Sequence, residues 1–403
     1  MRVLLANKFL HPRGGAERAV LGLGAGLTAR GHTVSYFGTA HPENRVQGEN
    51  VEVVPARDYH APGMRRYRDA AAMLYSVAAR RKFDVFLRRT RAEVVHVHNI
   101  YHQLTPSILD AARARGVPVL MTVHDYKLVC PRYDMMRQGS PCDACLHEGP
   151  QACLRYRCAG SWAASALLAA ESSLHAHRGS YDVVRLFLVP SRFMAGILVR
   201  GGIDMERLRH VPNFADAGEQ AAPFEPQPDR FVYAGRLSAE KGLRTLVHAA
   251  SRLPQGTLVL CGSGALEPEL RALAAAAAPG RIEFRGHLPA EALWREIGLA
   301  QFSVLPSECL ENAPFAVLES MALGRAVLAT GVGGVPELVI PGLSGELVPT
   351  GDIAAWSERL QAALAAPERM RRLGAGALQA ARSHHTLEQH LDATERAYAE
   401  VLA

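Results

Sequence analysis

The sequence predicts an α/β protein built from two Rossmann-like, doubly wound domains, and three observations carry that prediction. Short apolar runs alternate with helical patterns along most of the chain, as parallel βαβ units require. A length of 403 residues exceeds a usual single domain, and 48% hydrophobic residues suffice for two cores. Nearly every predicted strand hands its carboxyl end to a glycine or a charged group, the place where ligands sit in open α/β sheets. Residues 215–229, ADAGEQAAPFEPQPD, have no periodicity and are rich in Pro, Ala and acid, so they read as a linker. The expected domains are therefore 1–214 and 230–384.

In the first domain, residues 3–6 read as a buried strand, and Gly14-Gly15-Ala16-Glu17 leads into a helical pattern that stops at Gly31. Strand, glycine turn and helix form a phosphate-friendly unit. The G-x-G-x-x-G pattern is missing there, so a nicotinamide site is not indicated. Residues 33–37 form the next strand. The strand EVVHVHN over 93–99 ends in His98-Asn99, and that over 118–123 ends in His124-Asp125-Tyr126-Lys127. Two neighbouring strand ends carrying such groups mark a candidate site, although a strand-end His is also a common rim hydrogen-bonder.

Five of the seven cysteines lie close together: Cys130, Cys142, Cys145, Cys153 and Cys158. Cys142-x2-Cys145 followed by Cys153 and Cys158 supplies four thiolates for a structural zinc, since tetrahedral Zn–S₄ sites use a C-x2-C clip plus a second pair. Reduced thiols and disulfides are the competing states, and a cytosolic enzyme disfavours the latter.

The second domain begins with a strand FVYAG and the loop GRLSAEKG, which carries Arg236 and Lys241. Strands over 258–261 and 282–284 lead into Gly262-Ser263-Gly264 and Gly286-His287-Leu288. Arg grips two phosphate oxygens and Lys supplies a point charge, so Arg236 and Lys241 suit a diphosphate whose charge grows as it departs. The stretch over 302–338 then brings Glu311, Asn312, Ala313, Pro314, Phe315 and Glu319, followed by Gly331, Gly333, Gly334 and Pro336-Glu337 in what reads as a second loop. Pro314 fits a first helical turn, placing Glu311 in the loop before a helix and Glu319 inside it. Two carboxylates so placed grip two ends of one ligand, at the positive end of a helix that also favours phosphate.

The E-x7-E pair with its trailing G-G-x-P-E, together with GRLSAEKG upstream, resembles the donor-binding segment of retaining glycosyltransferases of the family-4 type. HDYKLVCP and the following C-x2-C…C…C spacing resemble one branch of that family. The resemblance runs from the Gly14-Gly15 loop to the last helices. It implies a GT-B fold, two Rossmann-like domains facing a central cleft, with donor on the second domain and acceptor on the first. It further implies that Arg236 and Lys241 hold the diphosphate without a metal, that Glu311 meets the sugar hydroxyls and Glu319 the ribose, and that His124 sits beside the reacting sugar. Gly15, Gly264, His287, Leu288 and residues 312–315 complete the implied donor site. Gly14, His98, Asn99, Asp125 and Lys127 fall on the acceptor side. The last helix, within 385–403, is expected to pack on the first domain. Asn312-Ala313 replaces the family's commoner Gly-aromatic, and Cys309 stands where the branch often has an aromatic. Both departures bear on sugar selectivity.

The implied reaction moves a hexose-type sugar, with UDP ahead of GDP as carrier, to a hydroxyl of a glycan, glycolipid or small molecule. The alternatives are another GT-B enzyme, such as a sugar-nucleotide epimerase, or a nucleotide-sugar-binding module without activity. A phosphorylase would need a lysine-anchored pyridoxal site, for which the sequence offers no candidate.

A net charge of +6 is too weak to argue nucleic acid. No window reaches the ~18 apolar residues of a membrane span, and the first residues break too early for a signal peptide, so a cytoplasmic protein is expected. The Arg-rich segment 64–91 reads either as a solvated face or as a basic amphipathic surface for the inner leaflet of the membrane.

Overall fold

The computed structural model describes residues 1–59, 63–215 and 224–403, without the side chains of residues 65–67. Most of the expected linker, 216–223, lies outside the described residues. The chain forms two compact units, one of residues 1–137, 142–211 and 387–403, the other of residues 138–141 and 212–386.

The first unit runs β1 (Arg2–Ala6), α1 (Gly15–Ala29), β2 (Thr33–Thr39), β3 (Val51–Val54), α2 (Met64–Leu74), α3 (Val77–Thr90), β4 (Val94–Val97), α4 (Ser107–Arg115) and β5 (Val119–Thr122). It continues with α5 (Ala144–Glu148), α6 (Gln151–Arg155), α7 (Trp162–His177), β6 (Val184–Val189), α8 (Arg192–Arg200) and β7 (Leu208–His210). The strands make one seven-stranded sheet in the order β3-β2-β1-β4-β5-β6-β7. Its pairings are parallel. Strands such as β4 and β5, covered on both faces, are buried at every position. That explains their largely apolar character, broken by His96 and Thr122, which share a hydrogen bond at 2.8 Å.

The second unit runs β8 (Arg230–Ala234), α9 (Leu243–Ser251), β9 (Thr257–Cys261), α10 (Glu267–Ala277), β10 (Ile282–Gly286), α11 (Ala290–Leu299), β11 (Phe302–Leu305), α12 (Phe315–Ala322), β12 (Ala326–Thr330), α13 (Val335–Leu338), β13 (Gly345–Val348), α14 (Ile353–Ala365) and α15 (Pro367–His384). Its six-stranded sheet has the order β10-β9-β8-β11-β12-β13, again parallel. Strand order reverses between β8 and β11, and the loops leaving these two strands carry Lys241 and Glu311. This is the topological switch point at which such sheets bind ligands. α16 (Leu387–Leu402) belongs to the first unit, where Leu391, Tyr398 and Val401 join the core of β1, α1 and β6.

Three local readings differ from the structure. Val335–Leu338 is a single helical turn rather than open loop, because Pro336 at its start is already set for helix. Pro314 is the N-cap residue, with an extended ψ of 124°, so α12 begins one residue later. The strands β3, β7 and β13 went unread, being only four, three and four residues long.

Part of the basic segment is answered by acid: Arg68 pairs with Asp69, Lys82 and Arg89 with Glu52, and Arg88 with Asp84. Among the described residues, no helix is long and apolar enough to cross a membrane.

Candidate active site

In the second unit, five loops gather at the carboxyl ends of the strands. After β8 the chain makes a 3-10 turn, Ala239–Lys241, and enters α9 through Gly242 at φ 67°. A Cβ on Gly242 would stand 1.9 Å from the Pro306 carbonyl oxygen, so only glycine lets this turn lie against the loop after β11. The Glu308 and Cys309 amides both donate to the Glu240 carbonyl, at 2.9 and 3.2 Å, and clamp the two loops together.

That clamp brings Lys241 to Glu311. Lys241 Nζ donates to Glu311 Oε1 at 2.6 Å, and Ser307 Oγ donates to the same oxygen at 2.5 Å. Burial works against the Lys241 charge, but the Glu311 carboxylate overcomes it and the ammonium is held more firmly than in water. Burial, helped by the same carboxylate, pushes the nearby Cys309 thiol up to about 12, so it remains protonated at neutral pH. Its sulfur lies 3.9 Å from Lys241 Nζ.

Glu311 is also fixed through its backbone. Gly333, at φ 61°, would place a Cβ 2.0 Å from the Glu311 oxygen, and the Gly334 amide donates to that oxygen at 2.8 Å. The G-G pair therefore shapes the first carboxylate's loop. Further along, Asn213 Nδ2 donates to the Ala313 oxygen at 3.0 Å, and Phe214 meets Phe315 edge to face at 6.1 Å. Pro314 then opens α12, whose N-terminus faces the same loop.

Glu319 sits within α12, 1% exposed, and accepts a 2.8 Å hydrogen bond from Trp294 Nε1 of α11. Arg236 is exposed and makes no ion pair among the described residues. Its neighbour Leu237 bonds through its amide to the Ser263 oxygen, while the Leu237 oxygen accepts from Leu266, so the Gly264 loop backs the Arg236 turn. The Gly262 amide donates to the Gly286 oxygen at 2.7 Å, tying in the loop that carries exposed His287 and half-buried Leu288. Asn312 is half-buried beside Glu311.

In the first unit, the ends of β1, β4 and β5 converge. Asn7 Oδ1 accepts from the Asn99 amide at 3.0 Å, and the Lys8 amide donates to the Asn99 oxygen at 2.8 Å. His98 Nδ1 and His124 Nε2 share a 2.9 Å hydrogen bond, and His98 stacks on His96 at 4.4 Å. His96 is held at both nitrogens, by Tyr398 and by Thr122, each at 2.8 Å. Burial drives His96 and His124 down to about 3 and His98 well below its ordinary value, so the cluster is uncharged at neutral pH. Asp125 is pushed up to about 6 by burial, against the pull of Lys8. Lys8 lies 4.5 Å over the Tyr101 ring. Gly14 is the extended N-cap of α1, which starts at Gly15.

Lys127 differs from its neighbours. Its ammonium is buried, donating to the Pro131 oxygen at 2.9 Å and pairing with the Glu171 carboxylate of α7. It ties the HDYK turn to α7. All seven cysteines are free thiols.

Ser307, Trp294, Asn213 and Lys8 escaped the sequence reading. Lys8 alone left a signal there, being one of the few lysines, immediately after β1. Trp294 and Asn213 act through contacts between distant segments, and Ser307 through Glu311 four residues on.

Two parallel-sheet Rossmann-like units with ligand-ready loops at the strand ends are the GT-B architecture of glycosyltransferases. Residues 13–219 match the model for "Glycosyltransferase Family 4", and residues 217–380 that for "Glycosyl transferases group 1". The chain belongs to glycosyltransferase family 4, and it is an enzyme. It is 29% identical to an alpha-maltose-1-phosphate synthase of Mycobacterium tuberculosis, over 70% of this chain and 72% of that protein. Sucrose-phosphate synthase from Thermosynechococcus elongatus shares the fold with a TM-score of 0.73 at 21% identity, covering 99% and 98% of the two chains. Anabaena HepE, solved in complex with UDP-glucose, shares it with a TM-score of 0.69 at 15% identity, covering 99% of each chain.

Proposed function

We propose that the protein is a retaining glycosyltransferase that moves a hexose-type sugar from a nucleoside diphosphate, UDP ahead of GDP, to a hydroxyl of a glycan, glycolipid or small molecule. The single observation that carries this reading is the cluster of Lys241, Ser307 and Glu311 at the N-terminus of α12, beside exposed Arg236. A cation, an anion and a helix dipole at one point suit a ligand that is a diphosphate at one end and a polyol at the other. The UDP-glucose complex of the fold relative supports the choice of carrier.

In this reading the bond between the anomeric carbon and the diphosphate oxygen breaks as the acceptor oxygen bonds to the same face of that carbon. The acceptor proton passes to the leaving phosphate oxygen. Bond breaking develops about one extra negative charge on the leaving phosphate before the proton arrives, and Lys241, Arg236 and the α12 amides stabilise it, each charged hydrogen bond contributing roughly 1.5–3 kcal/mol. Glu311 takes the sugar hydroxyls, Glu319 the ribose, and the His287-Leu288 loop the base. His124, neutral through burial, offers the sugar a hydrogen bond without adding charge. Among the described residues near Glu311 none is an obvious covalent nucleophile, since the Cys309 thiol stays protonated, which fits the front-face route.

The test is to screen UDP-, GDP- and ADP-sugars for binding, then follow transfer by NMR of the anomeric proton. An α-linked product from an α-linked donor is expected; a β-linked product would overturn retention, and binding without consumption of donor in the presence of any acceptor would overturn the enzyme role for this site.

A further inference from the structure

The histidines that follow β4 and β5 are joined in a way that fixes where their protons lie. His98 Nδ1 and His124 Nε2 stand 2.9 Å apart, and the two ring centres are 5.2 Å apart with their planes at 19°. A hydrogen bond running end to end between two nearly coplanar imidazoles has that geometry, and a face-to-face stack does not. His98 is held in this plane from one side. Its face rests on the His96 ring at 4.4 Å, and His96 is itself pinned by Tyr398 of α16 and Thr122 of β5, each at 2.8 Å.

The other nitrogen of His98 gives the bond its direction. His98 is 1% exposed, and among the described residues its buried Nε2 has no hydrogen-bond partner. Both rings are neutral through burial, so each carries one proton on one of its two nitrogens. Were His124 the donor, the His98 proton would sit on Nε2, a buried N–H facing no acceptor. Orphaned buried N–H groups are rarer than under-satisfied acceptors, and a bare lone pair at Nε2 strands no proton. The His98 proton therefore belongs on Nδ1, where it is used. The hydrogen bond at one ring nitrogen sets the tautomer, so His124, accepting at Nε2, carries its own proton on Nδ1.

We propose that His98 is a positioning residue for sugar transfer: it donates from Nδ1 to His124 Nε2 and so holds His124 as the tautomer whose Nδ1 is a hydrogen-bond donor. This rests on the reading of His124 as the histidine beside the reacting sugar. His98, expected on the acceptor side, then acts on the sugar only through His124. A donor at Nδ1 suits a hydroxyl oxygen of the sugar and has no lone pair with which to take the acceptor's proton. That proton is left to the departing phosphate. With the opposite tautomer the same nitrogen would offer a lone pair and compete for it.

Nitrogen NMR of the full chain carrying isotope-labelled histidine reads the tautomer, because protonated and bare ring nitrogens resonate far apart, and the His124→Ala spectrum assigns the His124 signals. A His124 proton on Nδ1 is expected in the unaltered protein; a proton on Nε2 would overturn the inference. In kinetics, His98→Leu should lower kcat about 10-fold while free UDP binds as before. His98→Asn, whose amide nitrogen stands where the imidazole Nδ1 does, should recover most of that loss; an Asn variant as slow as the Leu variant would reduce His98 to packing. Circular dichroism reports whether each variant folds, and the NMR measurement needs no variant at position 98. An unchanged kcat in His124→Ala would remove the sugar reading and the inference with it. A slow His124→Ala beside a fully active His98→Leu would overturn the inference alone.

Discussion

Lys241 and Glu311, 70 residues apart in sequence, meet at 2.6 Å on the loops that leave β8 and β11. Each neutralises the other until a donor arrives, and Ser307 completes the carboxylate's partners. In the proposed donor complex, a diphosphate that takes the ammonium would release Glu311 toward the sugar, so that the two ends of the donor are read together.

Lys241→Ala should lower kcat by about 10- to 100-fold, the loss of one charged hydrogen bond, while donor affinity falls less. Steady-state kinetics beside equilibrium binding of the donor separate the two. A kcat equal to that of the unaltered enzyme would remove Lys241 from the transition state. Because the residues touch, Lys241→Ala combined with Glu311→Ala should cost less than the sum of the single changes.

Glu319 and Glu311 should divide the donor. Calorimetry with free UDP is expected to show weaker binding for Glu319→Ala and near-normal binding for Glu311→Ala. Trp294→Phe removes the indole donor that orients Glu319 and should weaken UDP by a few-fold, consistent with about 1 kcal/mol for a net hydrogen bond. Equal losses for both glutamates would refute the division.

Asp125 has a folded-state pKa raised to about 6 from an ordinary 3.8. The folded protein thus binds more protons than the unfolded chain between these values. The stability linked to Asp125 is fully present below about pH 4 and is lost as pH rises through 6. Asp125→Asn should melt at a higher temperature than the unaltered protein above pH 6, and the advantage should vanish toward pH 4. Thermal denaturation across pH 4–7 checks the sign.

Lys127 and Glu171 form a buried pair with side chains 4% and 1% exposed. Lys127→Met leaves the buried Glu171 charge facing His102, 3.6 Å away, without its ammonium and should destabilise by about 3–5 kcal/mol. Lys127→Met with Glu171→Leu should recover most of it. Acceptor KM unchanged in the double variant is expected of a structural tie; a large rise in KM would return Lys127 to the acceptor site.

The sequence by itself determined the class of fold and the positions of the loops proposed to hold the donor. Hydrophobic periodicity is local, so strands such as FVYAG and helices such as Leu387–Leu402 declare themselves within their own residues. Motif spacing is local too, and it placed Glu311 ahead of a helix and Glu319 within it. Only the tertiary structure decided partners. That Lys241 meets Glu311, Trp294 holds Glu319, His98 bonds His124, and Lys127 turns away to Glu171 depends on strand order and register across the sheets. Such contacts join residues far apart along the chain, whose encounter is set by the packing of whole elements and leaves no trace in the composition around either one.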